Sequence, residues 1–164
     1  MAPSLEQFLD QTAKRGTWYG GGSASAFTCA LAAALLQKLV TRAALSRQLQ
    51  AIRRRALALV EEDAESFAAV IHTMARRPSG FRAALRRATE VPAAVYAASQ
   101  RIRAIAKTAQ RDVRSKYQVD LRCAVSLARA SAESSLGLIK TNLAWLKDPL
   151  YSRQLRRRLK LGSA

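Results

Sequence analysis

From Gly16 to Gln37 the chain carries no charged side chain, although charged residues make up 24% of the whole. The stretch opens as a turn, Trp18-Tyr19-Gly20-Gly21-Gly22-Ser23, and continues as the Ala-rich run Ala24-Ser25-Ala26-Phe27-Thr28-Cys29-Ala30-Leu31-Ala32-Ala33-Ala34-Leu35-Leu36. Three glycines reach backbone angles closed to other residues and Ser23 is a good N-cap, so the pattern predicts a sharp turn opening a helix over 24–45. Such a turn points backbone N–H groups outward. With the positive end of the helix dipole, these make a site for a carbonyl, carboxylate or phosphate group. Gly-rich sequence ending in Ser is also the composition of a flexible linker. The uncharged helix that follows favours the turn, because small side chains let other helices surround it closely and place it centrally. A membrane span fits poorly, since the uncharged run includes the polar turn and its helical part is too short.

With 164 residues, 49% of them hydrophobic, the chain has the length and the apolar content for one domain with its own core. Met1-Ala2-Pro3-Ser4 does not lead from a basic region into an apolar segment, so a cytoplasmic protein is expected. Cys29 and Cys123 lie far apart and form no metal-spaced pair, and two buried, reduced thiols are expected. Lys and Arg number 28 against 11 Asp and Glu, a formal charge of +17. An excess of that size attracts polyanions such as nucleic acid, anionic lipid or a polycarboxylate ligand. An arginine-rich solvated surface from a genome favouring Arg codons accounts for it equally well.

Ser4-Leu5-Glu6-Gln7 has the form of a capping box, and Leu5, Phe8, Leu9 and Ala13 supply an apolar stripe, so a first helix is expected over 5–14, ended by Gly16. A third helix is expected over 48–75, with Leu49, Ile52, Ala56, Leu59, Val60, Phe67, Val70, Ile71 and Met74 on its stripe. Asp63 occupies the gap in that series, and helical geometry aims its carboxylate at the core. A carboxylate there costs several kcal/mol unless it is paired or hydrogen-bonded, so it sits in a functional pocket or in an ion pair with one of the many arginines. His72, half a revolution away, is expected in solvent, which removes the only histidine as a catalytic candidate.

Arg76-Arg77-Pro78-Ser79-Gly80 should break the helix, followed by a short helical piece over 81–89 and a further helix starting at Pro92 with a basic outer face. A last long helix is expected over 120–146, with Asp120 and Asn142 turned inward, opposite Arg122. An acidic residue at a helix N-terminus is also favoured by the dipole alone, and a buried Asn also serves structure alone. Asp148-Pro149 ends that helix, leaving an exposed, frayed basic tail from about 149. Without strand alternation, zinc, Walker or dinucleotide motifs, the fold class is all-α, an antiparallel bundle of about five main helices.

In order along the chain, Ser4-Leu5-Glu6-Gln7-Phe8-Leu9, Gly20-Gly21-Gly22-Ser23, Asp63-Ala64-Glu65-Ser66-Phe67, Ala88-Thr89-Glu90-Val91-Pro92, Asp120 and Asn142-Leu143-Ala144-Trp145-Leu146-Lys147-Asp148 resemble the cyclodeaminase/cyclohydrolase family. That family includes the second domain of formiminotransferase-cyclodeaminase and stand-alone methenyltetrahydrofolate cyclohydrolases. The departures are Tyr19 for the proline before the glycines, Val119 for the serine before Asp120, and Leu138 for an earlier asparagine. The Gly-Asn that usually precedes Ser-Asp has no recognisable counterpart in Arg114 to Gln118. The resemblance implies a cyclodeaminase-like bundle acting on a C–N bond of a one-carbon tetrahydrofolate as substrate, without metal or other cofactor. It also implies a homodimer whose pocket draws on two chains. Asp63 is then the acid/base and Asp120 orients substrate nitrogens. Gly20, Gly21, Gly22 and Ser23 bind substrate through the turn, Asn142 joins them, and Trp18 or Tyr19 stacks on a flat ring. The altered positions fit two rival readings as well, C–N ring opening or closure on another metabolite, or a non-catalytic protein whose basic surface binds nucleic acid or an acidic partner.

Overall fold

The structure is a computed structural model that describes residues 4–76 and 78–161, without the side chains of 75–79; Met1, Ala2, Pro3, Arg77, Gly162, Ser163 and Ala164 lie outside it. Its elements are α1 (Leu5–Ala13), α2 (Gly21–Leu39), α3 (Ala43–Arg76), α4 (Pro78–Ala109), a 3-10 turn at Ser115–Tyr117, α5 (Gln118–Leu146) and α6 (Pro149–Arg158). The fold is therefore all-α, with no strand among the described residues. No helix among them is long and apolar enough to cross a membrane.

The uncharged helix takes the central place its composition predicts. α2 packs against α3, α4 and α5, and Ala26, Cys29, Ala32, Ala33 and Leu36 on it are fully buried. Around it, α4 and α5 run antiparallel: Ser99 donates to Ser131 at 3.0 Å near the middle of α5, and Asn142 reaches Ala88 toward its C-terminal end. Ser131 in turn donates to the carbonyl of Ser25 at 2.8 Å, so a hydroxyl relay ties the three helices together inside the core. At 34 and 32 residues, α3 and α4 are each about 50 Å long and span the whole bundle.

Several boundaries differ from expectation. α1 carries the predicted capping box, but it ends at Ala13, and Gly16 lies in the turn beyond with φ 80°. Of its stripe only Phe8 is buried; it stacks on Phe27 at 5.0 Å and meets Tyr19 edge-on at 6.0 Å. α2 stops at Leu39, not near Leu45, because Val40 turns extended with ψ 134°, and α3 begins at once at Ala43. Neither glycine nor proline marks that break. Arg42, inside it, pairs with Asp112 beyond α4 at 2.5 Å.

The break expected over 76–80 includes Arg77, which lies outside the described residues; beyond it α4 runs unbroken from Pro78 to Ala109 with Pro92 inside it. The separate piece over 81–89 and the helix start at Pro92 are thus one helix. The expected frayed tail is α6, capped by Asp148, whose carboxylate accepts the Tyr151 N–H at 3.0 Å. Arg86 pairs with the same carboxylate, and Leu155 is 2% exposed in a cluster with Ala93, Tyr96 and Ile139. Sequence reading missed this helix because its apolar face is narrow, and the arginines around it are what a composition count registers. Cys29 is buried as expected, but Cys123 is exposed.

Candidate functional site

Gly20 is the N-cap of α2, with no side chain to cap it. Ser23, expected to be that cap, lies one turn inside the helix and is fully buried, and its hydroxyl is directed at α3, within hydrogen-bond reach of the Val60 carbonyl at 3.1 Å and the Asp63 carboxylate at 3.0 Å. The backbone N–H of Ser23 also donates to Asp63. A carboxylate from a neighbouring helix thus does the work of the missing cap, placed against the positive end of the α2 dipole.

The fit between the two helices explains the glycine. A Cβ built on Gly22 would lie 2.0 Å from Oδ1 of Asp63, 2.4 Å from Cγ and 2.5 Å from Oδ2. Only glycine allows this approach. Gly20 and Gly21 have open space where a Cβ would be, so the steric demand falls on the third glycine of the run alone. Burial raises the Asp63 carboxyl above its ordinary value, against the lowering effect of the Ser23 hydroxyl and N–H. Desolvation is the larger influence, and the group holds its proton more tightly than an exposed aspartate.

Asp63 and the three glycines line a cavity of about 280 Å³. That is close to the lower end of the roughly 300–1,000 Å³ of small-molecule clefts. Trp18 and Tyr19 line it as expected, and Asn142 does so from α5. Two aromatics that were not among the expected site residues join them. Phe67, assigned to the core stripe, is 45% exposed and meets Trp18 edge-on at 6.3 Å; Trp145 is 54% exposed at the same cavity. Their positions four residues after Asp63 and three after Asn142 put them one helical turn from residues already singled out, and that spacing was the available signal.

Of the two α5 residues expected to turn inward, Asp120 does not. Its side chain is 43% exposed, it lies 4.0 Å from Lys38, and it does not line the cavity. It stands one turn into α5 while Asn142 stands near the other end, about 33 Å away along the helix. The helix-terminus explanation for an acidic residue there is sufficient. His72 is exposed, as expected. Among the described residues no arginine or lysine lines the cavity and none pairs with Asp63. The ion-pair account of this carboxylate therefore fails.

The model of the formiminotransferase-cyclodeaminase family matches residues 4–47 and 39–161 of the chain. The chain belongs to the formiminotransferase-cyclodeaminase family. Its fold is shared by the crystal structure of formiminotetrahydrofolate cyclodeaminase from Thermotoga maritima, with a TM-score of 0.90 at 19% identity, covering 96% of this chain and 87% of that one. No curated protein matches it in sequence. The stretches that carried the resemblance are the ones that build the cavity of this family member, apart from the first helix and the segment at Asp120.

Proposed function

We propose that the cavity binds a one-carbon tetrahydrofolate and acts on the C–N bonds of its amidine carbon, by formimino deamination or methenyl hydrolysis, with Asp63 as the acid/base. One observation carries this reading: in a chain of charge +17, the only charged side chain among the described residues that lines the cavity is a carboxylate whose proton affinity burial has raised. A site so arranged suits a cationic or N–H-rich planar ligand, and the aromatic rim suits a flat ring.

In the deamination, the neighbouring amine nitrogen of the substrate adds to the protonated formimino carbon, forming the new C–N bond. Asp63 takes the proton from that nitrogen and gives it to the departing amino group. The old C–N bond then breaks, ammonia leaves, and the methenyl cation remains, so one carboxylate serves both transfers with no net change in its own proton. In the hydrolysis, water adds to the methenyl carbon and loses a proton to Asp63, that proton goes to the ring nitrogen whose bond breaks, and the adduct's hydroxyl releases its remaining proton to solvent as the formyl C=O forms. Raised proton affinity makes Asp63 a better base in its ionised form and a usable acid in its neutral form. The Asp63 charge stabilises the cationic carbon, and the free N–H groups at the start of α2 are donors for a substrate oxygen or water. A homodimer is part of this reading by family likeness.

Leu138 lines the cavity where the family tends to have asparagine, and this favours a second reading, C–N ring chemistry on another planar metabolite. The test is methenyltetrahydrofolate absorbance, which rises in deamination and falls in hydrolysis, followed beside Asp63→Asn. Turnover lost in that variant supports the proposal; equal turnover removes Asp63 from it. A folded protein that changes neither rate turns attention to the second reading.

A further inference from the structure

An interior proline leaves the carbonyl four residues before it without its helical N–H partner, and for Pro92 that carbonyl belongs to buried Ala88. The partner comes from α5, where Nδ2 of Asn142 donates to the Ala88 carbonyl at 3.4 Å. We infer that Pro92 fixes which way the Asn142 amide faces, and so makes its Oδ1 a preset acceptor for an N–H of the bound ligand.

An Asn amide carries donors at one edge and an acceptor at the other, and turning it over exchanges them. Turned over here, Oδ1 would face the Ala88 oxygen, two acceptors with no proton between them. The amide's polarity is thus decided by the backbone of α4 before any ligand arrives. Among the described residues no group donates to Oδ1, while Asn142 lines the cavity. Asp63 offers a second side-chain acceptor from α3. The ligand class this pairing selects is a planar amidine or amino-substituted N-heterocycle with N–H groups on two edges. An isosteric ring bearing carbonyl groups in those places is rejected, because the two part-buried acceptors would be left facing oxygen. The substrate assignment rests on the folate reading above; the preset amide does not. It also gives Ala88-Thr89-Glu90-Val91-Pro92 and Asn142-Leu143, two stretches far apart in sequence, a single physical purpose.

Pro92→Ala supplies the missing N–H to Ala88 and releases Asn142. Hydrogen exchange of the Asn142 side-chain NH₂, followed by ¹⁵N NMR on the ligand-free protein, is expected to be faster in this variant than in the wild type, while its Tm is unchanged or higher. For the folate substrate KM is expected to rise about tenfold with kcat little changed, the size of one lost hydrogen bond. Because Pro92 itself lines the cavity, the same change is made in Asn142→Ala: Pro92→Ala should then leave KM where Asn142→Ala alone puts it. Unchanged NH₂ exchange in Pro92→Ala overturns the inference, and so does an equal KM increase in both backgrounds. If the wild type neither binds nor converts folate, the exchange measurement still decides the preset amide, and only the substrate assignment falls.

Discussion

Replacing Gly22 with alanine tests whether the close approach of α2 and α3 holds the Asp63 carboxylate in place. The added Cβ would stand 2.0 Å from Oδ1, with Cγ and Oδ2 also within 2.5 Å, so the whole carboxylate must leave and rotation about its own axis gives no relief. Reaching ordinary contact moves Oδ1 by about 1.4 Å and carries Oδ2 with it, enough to break the carboxylate's bonds to the Ser23 hydroxyl, which Oδ2 holds, and to the Ser23 N–H. A hydrogen bond to a charged group contributes about 1.5–3 kcal/mol, and the displaced carboxylate regains water from the cavity, so a net loss of about 1–2 kcal/mol is expected. In a chain of this size that is a Tm decrease of about 3–8 °C. Activity suffers more, because a misplacement of about 1 Å at the reacting group costs about a hundredfold in rate. A hydrated carboxylate also loses the desolvation that raised it, so the Asp63 titration, read by ¹³C NMR, shifts to lower pH. Wild-type turnover together with an unmoved titration would refute the reasoning, since it would mean that the carboxylate is not held against the glycine.

Asp63→Asn should lose turnover and gain stability at neutral pH. Burial raises the folded carboxyl above its unfolded value, so the wild type loses stability as pH rises from the ordinary carboxylate range through that raised value, and the asparagine does not. The Tm difference between the two should vanish in acid; a difference independent of pH would count against a desolvated carboxyl. Leu155→Ala is expected to cost about 2–5 kcal/mol in denaturant unfolding, because a docked α6 leaves a cavity when its anchor is cut back; a change below about 0.5 kcal/mol would restore the frayed tail. Asp120→Asn should leave turnover within about twofold, given its exposed position and distant pairing with Lys38. A hundredfold loss would instead put Asp120 of a second copy into the cavity, as a pocket shared between two chains requires.

What the sequence disclosed and what it hid divide along physical lines. The place of α2 was legible because an uncharged stretch in a highly charged chain has few places to go, and Asp63 was legible because helical periodicity left a gap where it stands. Ser23 was misread, since its good capping chemistry is used across the helix interface and the cap position falls to Gly20. Pro92 was misread for a related reason: a local rule ends helices at proline, and the amide that makes this one tolerable comes from Asn142, fifty residues on. Asp120 was pointed inward by angular position alone, which says nothing of how far along the helix the cavity lies.

The departures from the family pattern sort by the same distance. Val119 is 66% exposed beside Asp120, far from the cavity, whereas Tyr19 and Leu138 both line it. Tyr19 supplies by tertiary contact what a proline before the glycines would supply locally. Its hydroxyl donates to Glu61 at 2.5 Å, and that bond, with burial behind it, pushes the phenol up to about 12, so it stays protonated and bonded across the neutral range. A proline stiffens the turn in the unfolded chain as well as the folded one. Tyr19 stiffens it only once α3 is docked, so the glycine turn and the wall that carries Asp63 become ordered together. Leu138 has no such substitute partner. It removes a polar group from the cavity wall, and any change in ligand choice relative to other family members should be sought at the part of the ligand that meets this residue.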